Sequence, residues 1–173
     1  MLARDSAALV VVDVQEGFRG YDVFLEVAAA CAKLVEGARV LDVPTLITEQ
    51  YPKGLGRSAA ELGLPADARV VEKSVFSAAR ADGFTLDGRP QAIVCGIEAH
   101  VCVAQTALDL LEQEVEVVLP VDACGSRFAR DYEVGLRRLE SAGAVVTTVE
   151  AVLFELLERA GTPEFKAIQA LVK

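Results

Sequence analysis

Histidine occurs once in this chain, at His100, so a metal site built on histidines cannot be assembled from it. Cysteine is also sparse. Cys31, Cys95, Cys102 and Cys124 have neither CxxC spacing nor the density of a secreted disulfide framework, and reduced thiols are expected. Basic residues are outnumbered, 17 Lys and Arg against 26 Asp and Glu, for a net charge of −9. That balance argues against nucleic-acid phosphates or an anionic membrane surface as partners. No apolar stretch reaches the ~20 residues of a membrane span. The segment from Met1 to Ala8 is too short and too polar for a signal peptide, and a cytoplasmic protein is the expectation. What the chain does have is apolar residues, 53% against 25% charged, enough for one globular domain over residues 1–173 with a substantial core.

The stretch from Gln91 to Leu111, QAIVCGIEAHVCVAQTALDLL, organises the rest. An apolar run at Ala92 to Cys95 is followed by a turn expected at Gly96. Apolar residues then recur at Val101, Ala104, Leu108 and Leu111 with helical spacing. The pattern predicts strand, turn and helix, with Cys102 in the first helical turn, off the apolar stripe and on the side of Thr106 and Asp109. Unpaired backbone N–H groups and the positive end of the helix dipole favour thiolate over thiol there, making Cys102 a candidate nucleophile. Its other reading is a small buried filler, since free cysteine is among the most buried residue types.

Five further strands are expected. The stretch Ala7 to Gln15 opens on an uninterrupted aliphatic run that suits a strand buried on both faces of a parallel sheet, and the run ends in an acid, Asp13. Val43 to Thr48 reads as a second strand opened by Pro44, and the polar, glycine-bearing stretch Glu49 to Gly56 as a site-forming loop. Arg69 to Lys73 ends a third strand on a lysine. Val115 to Val121 and Ala144 to Thr148 complete the set. Helices are expected over Val23 to Leu41, Arg130 to Ala142, Ala151 to Arg159 and Phe165 to Val172, the last started by Thr162-Pro163-Glu164. Strands alternating with helices predict an α/β fold, a mostly parallel sheet covered on both faces with right-handed crossovers. In such sheets ligands sit beyond the carboxyl ends of the strands. Taken singly, Asp13 reads equally as a turn cap and Lys73 as a solvated lysine. Together with Cys102 they place an acid, a base and a thiol on that one edge.

These segments carry a resemblance. LVVVDVQEGF around Asp13, VVEKSVFSA around Lys73 and VCGIEAHVCVAQTALDLL around Cys102 are similar to the three signature segments of the isochorismatase-like cysteine hydrolase family. TEQYPKGLG, VDACGSR and TPEFKAIQALVK resemble its isochorismatase domain-containing subgroup. The resemblance implies a Rossmann-like three-layer α/β/α fold with a six-stranded, mainly parallel sheet. It also implies a catalytic triad of Asp13, Lys73 and Cys102, and a cis peptide at Ile97–Glu98.

Under that resemblance Cys102 attacks a carbonyl carbon with Lys73 as the nearby cation. Asp13 shuttles the proton, and the backbone N–H groups of Cys102 and Glu98 hold the oxyanion. The expected reaction is amidohydrolase chemistry, C–N cleavage of a small-molecule substrate through a thioester, without cofactor. Nicotinamidases of the family carry an Asp-x-His segment where this chain reads Thr48-Glu49-Gln50-Tyr51, which weakens nicotinamide as substrate and leaves no metal expected. Isochorismatases proper lack the cysteine. Phe18, Gln50, Tyr51, Phe76 and Val101 are candidate pocket residues, with core packing as the alternative for the aromatics. His100 reads as a substrate contact or as a turn or interface residue, Asp122 as chemistry or as support for the nucleophile turn, and Lys53 and Arg57 as anion contacts or solvated charges. Relatives are oligomeric, so a homo-oligomer is expected. The competing functional reading is a non-catalytic or redox-responsive interaction protein that retains the fold.

Overall fold

Six consecutive aliphatic residues, Ala7–Val12, form strand β1, and all six are buried. In the computed structural model, which describes residues 1–173, cover comes from helices on both sides. The chain runs β1, α1 (Phe24–Val40), β2 (Thr45–Gln50), a short helix α2 (Pro52–Leu55), β3 (Arg69–Lys73), β4 (Gln91–Ile97), α3 (Ala104–Glu112), β5 (Glu116–Pro120), β6 (Cys124–Gly125), α4 (Ala129–Ser141), β7 (Val145–Thr147), α5 (Val149–Leu157) and α6 (Phe165–Val172). Every ladder between these strands is parallel, and the main sheet has the order β3-β2-β1-β4-β5-β7. The sheet has seven strands rather than the six expected. The extra one is the two-residue β6, beside Gly96 and Ile97 of β4, too short to leave an alternation in the sequence.

The chain moves outward from β1 to β2 and β3, then returns to place β4 on the other side of β1 and continues to β5 and β7. Right-handed crossovers therefore put α1 on one face and α3 and α4 on the other. Helix α1 buries Phe24, Val27, Cys31, Leu34 and Ala38, an i, i+3, i+7, i+10, i+14 stripe, and packs with α5 and α6. Helix α5 starts on Thr148, whose hydroxyl accepts from the Ala151 N–H. Helix α6 begins at Phe165, but Thr162 does not cap it, and its hydroxyl makes no hydrogen bond. No helix is long and apolar enough to cross a membrane.

The turn expected at Gly96 does not occur there, because β4 continues through Ile97. Gly96 has φ +125, and a Cβ on it would lie 2.0 Å from the Val12 carbonyl oxygen. Only glycine lets β1 and β4 approach so closely at the point where the strand order reverses. In an open α/β sheet that reversal opens a crevice at the carboxyl ends.

Candidate active site

Three strand ends converge on the crevice. Val12 pairs in register with Thr48 of β2 and Gly96 of β4, and Gln50 pairs with Lys73. Asp13, one residue past β1, is fully buried and takes a left-handed backbone, φ 55, a conformation Asp tolerates better than most residues. One carboxylate oxygen, Oδ1, accepts from the Thr48 hydroxyl at 2.6 Å, and Oδ2 accepts from Lys73 Nζ at 2.7 Å. Lys73 Nζ also donates to Gln50 Oε1 at 2.8 Å and to the carbonyls of Phe76 at 2.9 Å and Val75 at 3.3 Å. Four acceptors surround three N–H bonds, so this ammonium has none to spare.

The third group arrives from β4. The Ile97–Glu98 peptide is cis. Cys102 stands in a wide π-helical turn, Ala99–Val103, ahead of α3 rather than in the first turn of an α-helix. The Glu98 carbonyl accepts from the N–H groups of both Val101 and Val103. Thr106 donates its hydroxyl to the Cys102 carbonyl at 2.7 Å and accepts from the Ala78 N–H at 2.8 Å, fastening the turn that carries Cys102 to the segment that follows Lys73.

Burial works against the expected thiolate. Cys102 is only 6% exposed, and burial, followed by the neighbouring Asp13 carboxylate, pushes its thiol up to about 12 against the opposing pull of Lys73. Desolvation of a charge outweighs the helix terminus here. Cys102 is thus a buried thiol beside a carboxylate.

The other predicted residues divide. Gln50 is buried with both ends of its amide engaged, Oε1 by Lys73 and Nε2 by the Ser74 carbonyl, so it holds Lys73 in place. Tyr51 and Phe76 are both more than half exposed. Phe18 is half-buried against Tyr21, ring centroids 5.3 Å apart, and Val101 is half-buried in the turn that carries Cys102. His100 points toward α4, its Nε2 3.9 Å from Asp131 Oδ2, while Nδ1 lies 3.0 Å from Ser126 Oγ and 3.3 Å from Glu98 Oε2. Asp122 accepts from the Val149 N–H at the start of α5, a structural role. Arg57 is held between Glu49 and Glu72. Cys31 and Cys95 are core thiols, Sγ to Sγ 3.7 Å, and Cys124 is buried close by.

Three contributors went unseen in the sequence. Thr48 is a strand-end threonine whose register against Asp13 only the sheet reveals. Gln15 is fully buried and ties the loop down, donating to the carbonyls of Gln50 at 3.0 Å and Gly56 at 2.7 Å. Tyr21 donates to Glu98 Oε1 at 2.6 Å, and burial, with that bond, pushes its phenol up to about 12. A cavity of about 510 Å³ opens at the opposite end of the sheet, among Leu9, Leu46, Leu64 and Leu86. It offers no nucleophile, and its Arg69 and Asp87 pair with each other.

The family model described as Isochorismatase domain matches residues 7–151. Isochorismatase domain-containing protein 2 of Bos taurus is 43% identical over 171 residues, 97% of this chain and 83% of that protein. A structure of MAR1 ribonuclease from Caenorhabditis elegans superposes with a TM-score of 0.92 at 38% identity, covering 99% of this chain and 91% of that one. YcaC from Pseudomonas aeruginosa, solved with hexane-2,5-diol and covalent acrylamide, superposes with a TM-score of 0.85 at 25% identity, covering 98% of this chain and 90% of that one.

Proposed function

The chain belongs to the isochorismatase family, and within it we propose that this protein is a cysteine hydrolase that cleaves an amide-type C–N bond of a small molecule through a Cys102 thioester. The observation that carries the reading is the meeting of a buried thiol with a carboxylate already ion-paired to a lysine, Asp13 with Lys73 at 2.7 Å. Because burial raises the thiol, the proton leaves as the C–S bond forms.

The steps follow from the positions. Asp13 takes the thiol proton while sulfur attacks the carbonyl carbon, and the carbonyl π electrons move to oxygen. Backbone N–H groups of Cys102 and Glu98 are assigned to that oxyanion. Collapse of the tetrahedral intermediate breaks the C–N bond, and Asp13 returns its proton to the departing nitrogen, so a primary amide releases ammonia. Water then attacks the thioester and gives its proton to Asp13. The acid departs, and Asp13 restores the thiol. Lys73 holds Asp13 in place and offsets its charge throughout.

The Pseudomonas relative carries covalent acrylamide, a small neutral molecule of the size proposed for the substrate here. The ribonuclease title describes the C. elegans protein. Here the saturated Lys73 and a net charge of −9 weigh against a phosphodiester substrate. A redox-sensing role is weighed down by the raised thiol, because thiolate is the form that oxidants attack. We also read the protein as a homo-oligomer, since Leu25, Phe128, Val134 and Val145 leave apolar surface about half exposed for a second copy to cover. Light scattering that returns a monomer would refute that part.

The deciding experiment is intact-protein mass spectrometry of wild type and Cys102→Ala after incubation with small primary amides, with ammonia release followed in parallel. An acyl adduct and ammonia that both vanish in Cys102→Ala are expected. Ammonia release that persists without the thiol overturns the thioester.

A further inference from the structure

Asp13 is neutralised by Lys73, which leaves the charge of Glu98 to be accounted for. The Glu98 carboxylate stands at the start of the nucleophile turn, and its side chain is 16% exposed. Oε1 accepts from Tyr21, a phenol that burial keeps neutral, and Oε2 has His100 Nδ1 at 3.3 Å. No lysine or arginine pairs with it. Lys73 has no N–H to spare, and Arg57 lies between Glu49 and Glu72. Arg19 is shared by Glu16 and Glu61, and Arg80 is bound to Asp109. Arg127, the cation whose charge reaches Tyr21, is exposed and stacked on the Phe128 ring at 4.4 Å. Lys53 is exposed on α2. Glu98 is also felt at the reacting atom: with burial and Asp13 it opposes loss of the Cys102 proton. His100 is shared with a second carboxylate, its Nε2 3.9 Å from Asp131 Oδ2, so two acids flank the one imidazole and no lysine or arginine pairs with Glu98.

Building on the thioester reading, we infer that Glu98 is a specificity-determining residue that admits neutral amides to Cys102 and turns away amides bearing a carboxylate. A carboxylate-bearing substrate would stand beside Glu98 without a counter-ion, and a site discriminates as effectively by such a clash as by any attraction. A neutral primary amide brings N–H groups that Glu98 can accept. Ureido acids and other anionic amides fall outside this class.

Two isosteric pairs test the inference. The first is alkylation of Cys102 by iodoacetamide and by iodoacetate at pH 8, followed by peptide mass spectrometry, with each rate divided by that of glutathione. The amide reagent is expected to be favoured at least 30-fold beyond its preference with glutathione, and Glu98→Gln to reduce that factor at least fivefold. Any change in thiolate fraction caused by Glu98→Gln cancels in the ratio. The second pair is turnover of butyramide and succinamate, where kcat/KM is expected to favour butyramide at least 100-fold. A wild-type alkylation ratio equal to that of glutathione overturns the inference, as does a ratio that Glu98→Gln leaves unchanged. If Glu98→Gln does not fold, the wild-type ratio decides alone. Absence of turnover for both amides, with the alkylation preference retained, sinks the hydrolase reading while upholding the charge filter.

Discussion

Lys73 Nζ lies 2.7 Å from Asp13 Oδ2, and both side chains are wholly removed from water. Such a pair adds little net stability, because desolvation cancels much of its attraction, but breaking it strands a buried charge. Lys73→Met is therefore expected to lower unfolding free energy by about 3–5 kcal/mol, measured by urea titration. Turnover should fall at least about 100-fold in Lys73→Met and in Asp13→Asn. The double variant should lose clearly less stability than the sum of the singles. Additive losses would mean that the two groups are not coupled.

Thr48 is expected to act through Asp13. Its hydroxyl donates to Oδ1 at 2.6 Å with both residues fully buried. Thr48→Val keeps the shape and removes the donor, at a cost of about 1.5–3 kcal/mol for a bond to a charged group. Turnover should fall about tenfold with KM little changed, and Thr48→Ser should restore most of it. Equal losses in Val and Ser would show that the methyl group, not the hydroxyl, matters.

Gly135 predicts a conflict between propensity and packing. Replacing a mid-helix glycine by alanine ordinarily favours the helix by about 1 kcal/mol. Here a Cβ at Gly135 would lie 2.9 Å from the His100 Cα, inside the turn that carries Cys102. Overpacking of this kind costs about 1–3 kcal/mol, so the steric term wins. Gly135→Ala should retain its circular dichroism spectrum, lose activity at least tenfold and alter the alkylation rate of Cys102. A variant more stable than wild type and fully active would refute the contact.

The buried thiols set an alkaline limit. Burial raises Cys102 from an ordinary value of 9.0 to about 12, and burial likewise raises Cys124. Cys95 is raised well above 9.0, first by its contact with Cys31 and then by burial. Below 9 both folded and unfolded chains keep these protons, and the stabilisation is full. Above 9 the unfolded chain loses them first, so stability falls as pH rises toward the folded values. Urea midpoints should drop between pH 8 and pH 10, less steeply in Cys124→Ala. Iodoacetamide should modify Cys102 at a rate still climbing at pH 10. A plateau below pH 8 would contradict the raised thiol.

The sequence by itself determined the α/β alternation, because periods of 2 and 3.6 and unbroken aliphatic runs such as Ala7 to Val12 are local properties of the chain. It also placed Asp13 and Lys73 at strand ends and Cys102 in the turn that follows one, since the end of an apolar run is visible without any partner. Tertiary structure alone decided what surrounds them. The contact between Thr48 and Asp13 depends on strand register, and that of Gln50 with Lys73 on two strands lying side by side. At Cys102 burial works against the thiolate expected from its place at a helix start. A helix terminus is read from neighbours in sequence, whereas the burial and the Asp13 charge that hold the proton come from residues brought together only by the fold. The two-residue β6 and the seat of His100 beneath α4 were invisible for the same reason: each rests on contacts between segments far apart in the chain.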